Sequence, residues 1–337
     1  MTTAIATRPR LALTLGDLSG IGPELAMKLL AVEANRRQAE IYLLASQAEV
    51  DRYSAEVGVQ IPTSSTPEPG SVTLVGSQHA DEPVERGAAS IAGGTRVLHD
   101  LLDALAMFRE GRVDSIMFLS LNKAALHDAG MHEEDELRWF AKELGYDGVT
   151  SELNFVPGLT TSRVTSHCAL AEVPERISAR SVLDAIRLLH NVIRDNGVEK
   201  PRLAVCALNP HAGESGQFGR EEIDHIAPGV RLAQVEGIDA EGPFPCDTIF
   251  IDARDGKYDG VVTMYHDQGQ IAMKLMGFEE GVTVQGGLPV PIATPAHGTA
   301  YGIVGQNKAN LGPSQRAFDI AVQLGRRIQA DRATASA

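Results

Sequence analysis

A chain of 337 residues, 43% hydrophobic and 22% charged, holds ample apolar material for one large α/β unit or two domains. Its formal net charge of −14 leaves no basic stripe to neutralise phosphates, which excludes a nucleic-acid partner; a small anionic substrate must be drawn in by locally placed Lys, Arg, metal or helix N-termini. No run approaches ~18 consecutive apolar residues, so no membrane span is expected. The start, MTTAIATRPRLALTLGD, lacks the apolar core and cleavage site of a signal peptide, and Cys168, Cys206 and Cys246 lie far apart as small buried hydrophobes, all of which fits a reducing cytoplasm.

From the N-terminal side, Arg10–Gly16 reads as a strand and Gly22–Arg36 as an amphipathic helix opened by Pro23. EIYLLAS (residues 40–46) is the next strand, and residues 46–58 the next helix. Ile61–Ser71, rich in Pro, Ser and Thr, is a surface connection. A long helix over about Ala88–Arg109 is followed by the strand Asp114–Leu121 and by a helix at EDELRWFAKELG. RVTSHCAL is a short apolar strand ending in His167. Residues 178–197 carry apolar side chains at helical spacing and close on a Gly. Pro201–Asn209 and residues 258–266 are strands, the second followed by a helix-like stretch that ends in Lys274. The last helix occupies about Gly312–Ala333, before an Ala/Thr/Ser tail. Strands alternating with helices give an α/β fold with a largely parallel sheet, in which ligands gather beyond the carboxyl ends of the strands.

Polar residues at those ends carry the chemistry. RVTSHCAL, AVCALNPHAGESG and VVTMYHDQG place His167, His211 and His266 at equivalent strand exits. One such histidine is ordinarily polar surface; three neutral imidazoles on separate rigid elements make the three-ligand, open-position geometry of a catalytic divalent metal. Asp247, Asp267 and Glu214 either orient these rings or cap helices. LGDLSGIGPELAMK is a Gly-rich strand-to-helix turn that either faces an anion or packs tightly. TPAHGTAYGIVGQNKANLG has a similar mix, with His297 and Thr299 near a helix start. The chain has neither a GxGxxG fingerprint nor a GxSxG elbow.

GDLSGIGPE, His167, LNPHAGESG, YHDQG and GGLPVPIATPAHGTA, in this order, resemble the 4-hydroxythreonine-4-phosphate dehydrogenase (PdxA) family from about Leu11 to Gln329. The resemblance implies a two-domain fold like isocitrate and isopropylmalate dehydrogenases, with largely parallel sheets and a cleft. Residues 1–130 plus 285–337 would form a cofactor-side domain and 131–284 a metal and dimerisation domain. It implies a homodimer with active sites at the subunit interface and a divalent metal (Zn, Mg or Co) on His167, His211 and His266. NAD or NADP would lie on His297, Gly298 and Thr299, with Asn310 toward the adenosine end. Asp247 and Asp267 would serve catalysis, and Lys274 would contact a small anionic hydroxy-acid substrate. The implied reaction is oxidation of the hydroxyl, followed by decarboxylation of a 3-oxo acid.

The departures fall on the family's substrate contacts. Asp135, Glu136, Leu137 and Arg138 stand in place of a Gly-His-Thr-Glu stretch, Thr283 replaces an Asn, Ile292 an Arg, and Gly302 an Asp. Ile for Arg removes a bidentate donor and adds an apolar wall, and Glu136 adds a negative charge. The expectation is therefore a paralogue with the oxidation chemistry kept and a substrate other than 4-phosphohydroxythreonine. The alternatives are the family's own step in pyridoxal phosphate synthesis, or a non-catalytic ligand-binding protein on the same fold.

Overall fold

Short apolar runs followed by amphipathic segments build two compact units in a computed structural model that describes residues 8–79 and 82–335. The first seven residues of the start and the last two of the tail lie outside the described residues. One unit runs to Tyr146 and resumes at Pro289; the other spans Asp147–Leu288.

The first unit opens with β1 (Arg10–Thr14), α1 (Gly22–Ala31), α2 (Glu33–Gln38), β2 (Glu40–Leu44), α3 (Gln47–Val57), β3 (Thr63–Ser64) and β4 (Val72–Leu74). It continues through α4 (Ile91–Arg109), β5 (Ser115–Phe118), α5 (Lys123–Asp128) and α6 (Glu136–Leu144). The second unit holds β6 (Ser151–Val156), β7 (Leu159–Arg163), α7 (Val173–Arg176), α8 (Ala179–Asp195), β8 (Leu203–Cys206) and α9 (Ala227–Val235). β9 (Ala240–Phe244), α10 (Cys246–Arg254), β10 (Gly260–Thr263), α11 (His266–Gly277) and β11 (Val282–Gly286) complete it. The chain returns to the first unit with β12 (Ile292–Pro295) and α12 (Gly312–Ala335).

In the first unit the strand order is β3-β4-β2-β1-β5-β12, every pair parallel. In the second it is β11-β6-β7-β10-β8-β9, with β11–β6 and β6–β7 antiparallel and the others parallel. The α/β reading of the sequence is borne out in both. Local signals explain the helix ends: Ser46 and Glu49 form a capping box on α3, and Asp135 accepts from Arg138 N–H at the start of α6. Among the described residues no helix is long and apolar enough to cross a membrane.

Three boundaries differ from the sequence reading. The helix drawn over Gly22–Arg36 breaks at Val32, whose ψ of 108° leaves helical space. The strand drawn to His167 stops at Arg163, because β7 is the return arm of a hairpin with β6. α6 stays with the first unit although a boundary at 131 gives it to the second: Leu137, Trp139 and Phe140 are buried, and Phe140 lies 5.9 Å from Phe118 of β5.

The first unit also buries charge. Arg96 of α4, 1% exposed, donates to Glu49 of α3 (2.7 Å), to Asp100 one turn on (2.8 Å) and to the Leu44 carbonyl of β2 (3.2 Å), so one guanidinium ties three elements. Burial, more than the opposing pull of Arg96, raises the Asp100 carboxyl from 3.8 to about 6.

Candidate active site

β7, β10 and β8 are neighbours and run in the same direction, Thr263 pairing with Arg163 and Val262 with Val205. Each releases the chain at its carboxyl end into a segment that carries a histidine: His167 after β7, His266 after β10 and His211 after β8. The rings of His167 and His266 lie 5.8 Å apart. β9 flanks β8, and the helix that follows it, α10, carries Asp247 in its exposed first turn.

Hydrogen bonds tie these exits together. Thr165 donates to the Met264 carbonyl from its backbone N–H (3.1 Å) and its hydroxyl (2.8 Å), joining the segment after β7 to the end of β10. Gln268 accepts from Met264 N–H (2.6 Å) and donates to the Ala207 carbonyl (2.8 Å), joining α11 to the ends of β10 and β8. Gln268 lies inside the YHDQG motif without a role assigned from sequence; an amide one helical turn beyond a strand end is its signal there.

Carboxylates orient two of the rings. His266 Nδ1 is 2.7 Å from Asp267 Oδ1 and His211 Nδ1 is 3.2 Å from Glu214 Oε2, so in each ring Nε2 is the nitrogen left to a ligand. Of the two roles open to Asp267 and Glu214, ring orientation is the one adopted. His167 and His211 are exposed and His266 half-buried. Imidazole nitrogens suit a divalent cation of the zinc or cobalt type better than magnesium, which prefers oxygen.

The residues expected near a dinucleotide all lie in the first unit. His297 Nδ1 is 3.0 Å from Ser120 Oγ, and burial lowers the ring's pKa so that it is neutral at pH 7. Gly298 is exposed, whereas Thr299 is buried and its carbonyl accepts from Ile21 N–H at 3.0 Å. Asn310 is exposed, its carbonyl oxygen accepting from Gly312 N–H (3.0 Å) at the start of α12. Beside them Tyr301 donates to Asp17 (2.6 Å); burial, then the carboxylate, pushes the phenol up to about 12. Asp17 is buried and has no role of its own assigned from sequence. The Gly-rich turn before α1 takes its packing role: Ser19, Gly20 and Ile21 N–H groups go to Asp17 Oδ1, the Asp17 carbonyl and the Thr299 carbonyl, and the turn is buried.

The expected substrate contacts divide into surface and core. Lys274 is exposed on α11, and Thr283 lies mid-strand in β11 opposite Asn154. Arg138 is exposed on α6. Glu136 is buried at the start of α6, 3.5 Å from the Lys123 ammonium. Two expectations are corrected. Ile292 is 0% exposed, pairs with Ile116 and belongs to the core of the first unit, so it forms no apolar wall; Leu137 is buried for the same reason, on the inner face of α6.

The model of the family described as "Pyridoxal phosphate biosynthetic protein PdxA" matches residues 27–321. The chain belongs to the PdxA family. It is 51% identical over 331 residues to a Pseudomonas aeruginosa protein named "Putative 4-hydroxythreonine-4-phosphate dehydrogenase 2", covering 94% of this chain and 97% of that one. A D-threonate 4-phosphate dehydrogenase of Cupriavidus necator is 33% identical, covering 96% and 98%. A crystal structure of a 4-hydroxythreonine-4-phosphate dehydrogenase from Burkholderia phymatum superposes with a TM-score of 0.79 at 31% identity, covering 94% of this chain and 98% of that one. As a PdxA-family member the chain is an oxidoreductase acting on a CH–OH group.

Proposed function

We propose that the chain is a divalent-metal- and NAD(P)-dependent dehydrogenase of a small anionic hydroxy acid, working as a homodimer with its active sites at the subunit interface. The observation that carries the reading is the set of three histidines just beyond the carboxyl ends of three neighbouring parallel strands. A bound divalent cation supplies Lewis acidity at the reacting hydroxyl, and the dinucleotide supplies the hydride acceptor. His167, His211 and His266 would hold the cation. Asp267 is engaged with His266, which leaves Asp247 as the carboxylate to take the hydroxyl proton. Lys274 would attract the anionic end of the substrate. The exposed Gly298, with open space beside its Cα, would let a dinucleotide approach the backbone next to His297 and Thr299, with Asn310 toward its adenosine end. Decarboxylation would follow where the product is a 3-oxo acid.

Two relatives carry the names of 4-phosphohydroxythreonine and D-threonate 4-phosphate, both small phosphorylated hydroxy acids. We infer a substrate of that class, with D-threonate 4-phosphate the first to test, because Thr283 replaces an amide that contacts substrate in the family. Reduced-dinucleotide formation should appear with one of these acids only after Zn²⁺ or Co²⁺ is restored to stripped enzyme. Turnover that survives both chelation and His211→Ala would overturn the metal reading. The 51% relative's name favours 4-phosphohydroxythreonine as the second reading, tested by rescue of a strain that lacks that dehydrogenase.

A homodimer is supported by Ile271 and Leu275, 61% and 84% exposed at helical spacing on α11 around Lys274, with Ile251 half-exposed on α10. Sedimentation should give twice the chain mass. Three free cysteines suit a reducing cytoplasm.

A further inference from the structure

The segment that presents His211 has an unusual backbone. His211, Ala212, Gly213, Glu214 and Ser215 take φ values of 52°, 54°, 76°, 43° and 56°, five consecutive left-handed residues of which four are not glycine. Left-handed backbone costs an L-residue about 1–2 kcal/mol. A run of this kind persists only where its surroundings over-determine it. The ring of His211 is exposed and touches little: Glu214 at 3.2 Å and the edge of Phe218 at 6.4 Å. What holds the turn must lie beneath it.

Glu222, 3% exposed at the entry to α9, is that group. Its Oε1 accepts from Leu208 N–H (2.9 Å) and Asn209 N–H (2.7 Å), and its Oε2 accepts from Asn209 Nδ2 (3.0 Å). Asn209 Nδ2 donates also to Glu221 Oε2 (2.7 Å). These bonds fix the two residues that lead into Pro210 and His211. The glycines are cut to the same arrangement: a Cβ on Gly213 would stand 2.6 Å from Glu222 Oε2, and one on Gly219 would stand 2.4 Å from Asn209 Nδ2. No ion pair accompanies Glu222 among the described residues, so N–H donors alone offset the burial of its charge.

We propose that Glu222 is a positioning residue, whose buried carboxylate locks the left-handed turn presenting His211 and thereby sets the cation affinity of the three-histidine site. The inference rests on the reading of His211 as a metal ligand, and one titration series separates the two. Metal-stripped full-length protein, as wild type, His211→Ala, Glu222→Ala, Glu222→Gln and Asn209→Ala, is titrated with Co²⁺ alone. Calorimetry gives the affinity, and the visible absorption of bound Co²⁺ reports its coordination. Glu222→Ala should weaken binding about 10–100-fold and alter the cobalt spectrum. Glu222→Gln should recover most of both, because a carboxamide oxygen still accepts the Leu208 and Asn209 N–H groups. Should Glu222→Ala not fold, Asn209→Ala removes only the side-chain bonds and should weaken binding several-fold, about 3–10-fold on the same scale.

Wild-type affinity and spectrum in Glu222→Ala or, failing its folding, in Asn209→Ala, beside a weakened His211→Ala, would overturn the positioning role and leave the metal reading standing. A Glu222→Gln protein as weak as Glu222→Ala would also overturn it, since the lock would then not be the two N–H bonds. Wild-type binding by His211→Ala would overturn the metal reading itself.

Discussion

The two units use buried polar groups for different ends. In the first unit, Arg96, Glu49 and Asp100 are closed on one another inside the layer formed by α3, α4 and β2, and the turn before α1 spends its N–H groups on its own loop and on Thr299. In the second unit, buried polar groups such as Gln268, Thr165 and Glu222 lie under the strand ends and hold backbone, while the titratable side chains above them, His167, His211 and Asp247, are exposed. Charge locked inside a layer stabilises a fold. Polar groups that fix the backbone beneath exposed imidazoles preorganise a ligand site. Mutations in the two units should therefore separate stability from chemistry.

The largest separation is expected at His266. Its ring is exposed enough for His266→Ala to leave the thermal midpoint nearly unchanged, yet kcat/KM should fall roughly a thousandfold, about 4 kcal/mol. A variant that keeps full turnover removes the second unit's chemical role. Arg96→Ala is the opposite case. It strands two buried carboxylates and should cost about 3–5 kcal/mol in denaturant unfolding, with cobalt affinity unaltered in the folded protein. Lost cobalt binding in folded Arg96→Ala would break the distinction.

The pH dependence is a finer test. Between 3.8 and about 6 the folded state keeps the Asp100 proton that the unfolded chain has lost. That contribution is complete below the lower value and is lost as pH rises through 6, by at most about 3 kcal/mol for roughly two units at about 1.4 kcal/mol each. Asp100→Asn should flatten this part of the stability profile; an unchanged slope would assign it elsewhere. The smallest expected effect is at Asn310. Asn310→Ala should cost about 1 kcal/mol as a lost cap, and Asn310→Asp should restore it. A raised KM for the dinucleotide in the folded Asp variant would then report a cofactor contact apart from the cap.

Much of the second unit's site was legible because β8 and β10 are continuous apolar runs with a polar motif at the end, a pattern that depends only on local hydropathy. The strand before His167 was drawn too long, since the hairpin of β6 and β7 is a pairing between segments and leaves no mark in either alone. Ile292 looked like a pocket residue because a family comparison supplies a position without a burial; its pairing with Ile116 decides that it is core. Glu222 was unreadable for a related reason. An acidic residue eleven positions beyond His211 looks like helix surface, and only the folded turn brings Leu208 and Asn209 N–H groups to its carboxylate.

By itself the sequence determined what local periodicity and composition can: alternating strands and helices, the absence of a long apolar run, and three histidines waiting at strand exits. Tertiary structure decided the rest. It set which strands are neighbours, hence which histidines share a rim, and which carboxylates the His211 and His266 rings take. It also decided which polar residues are buried to hold backbone, because each of these depends on hydrogen bonds and packing between segments far apart in the chain.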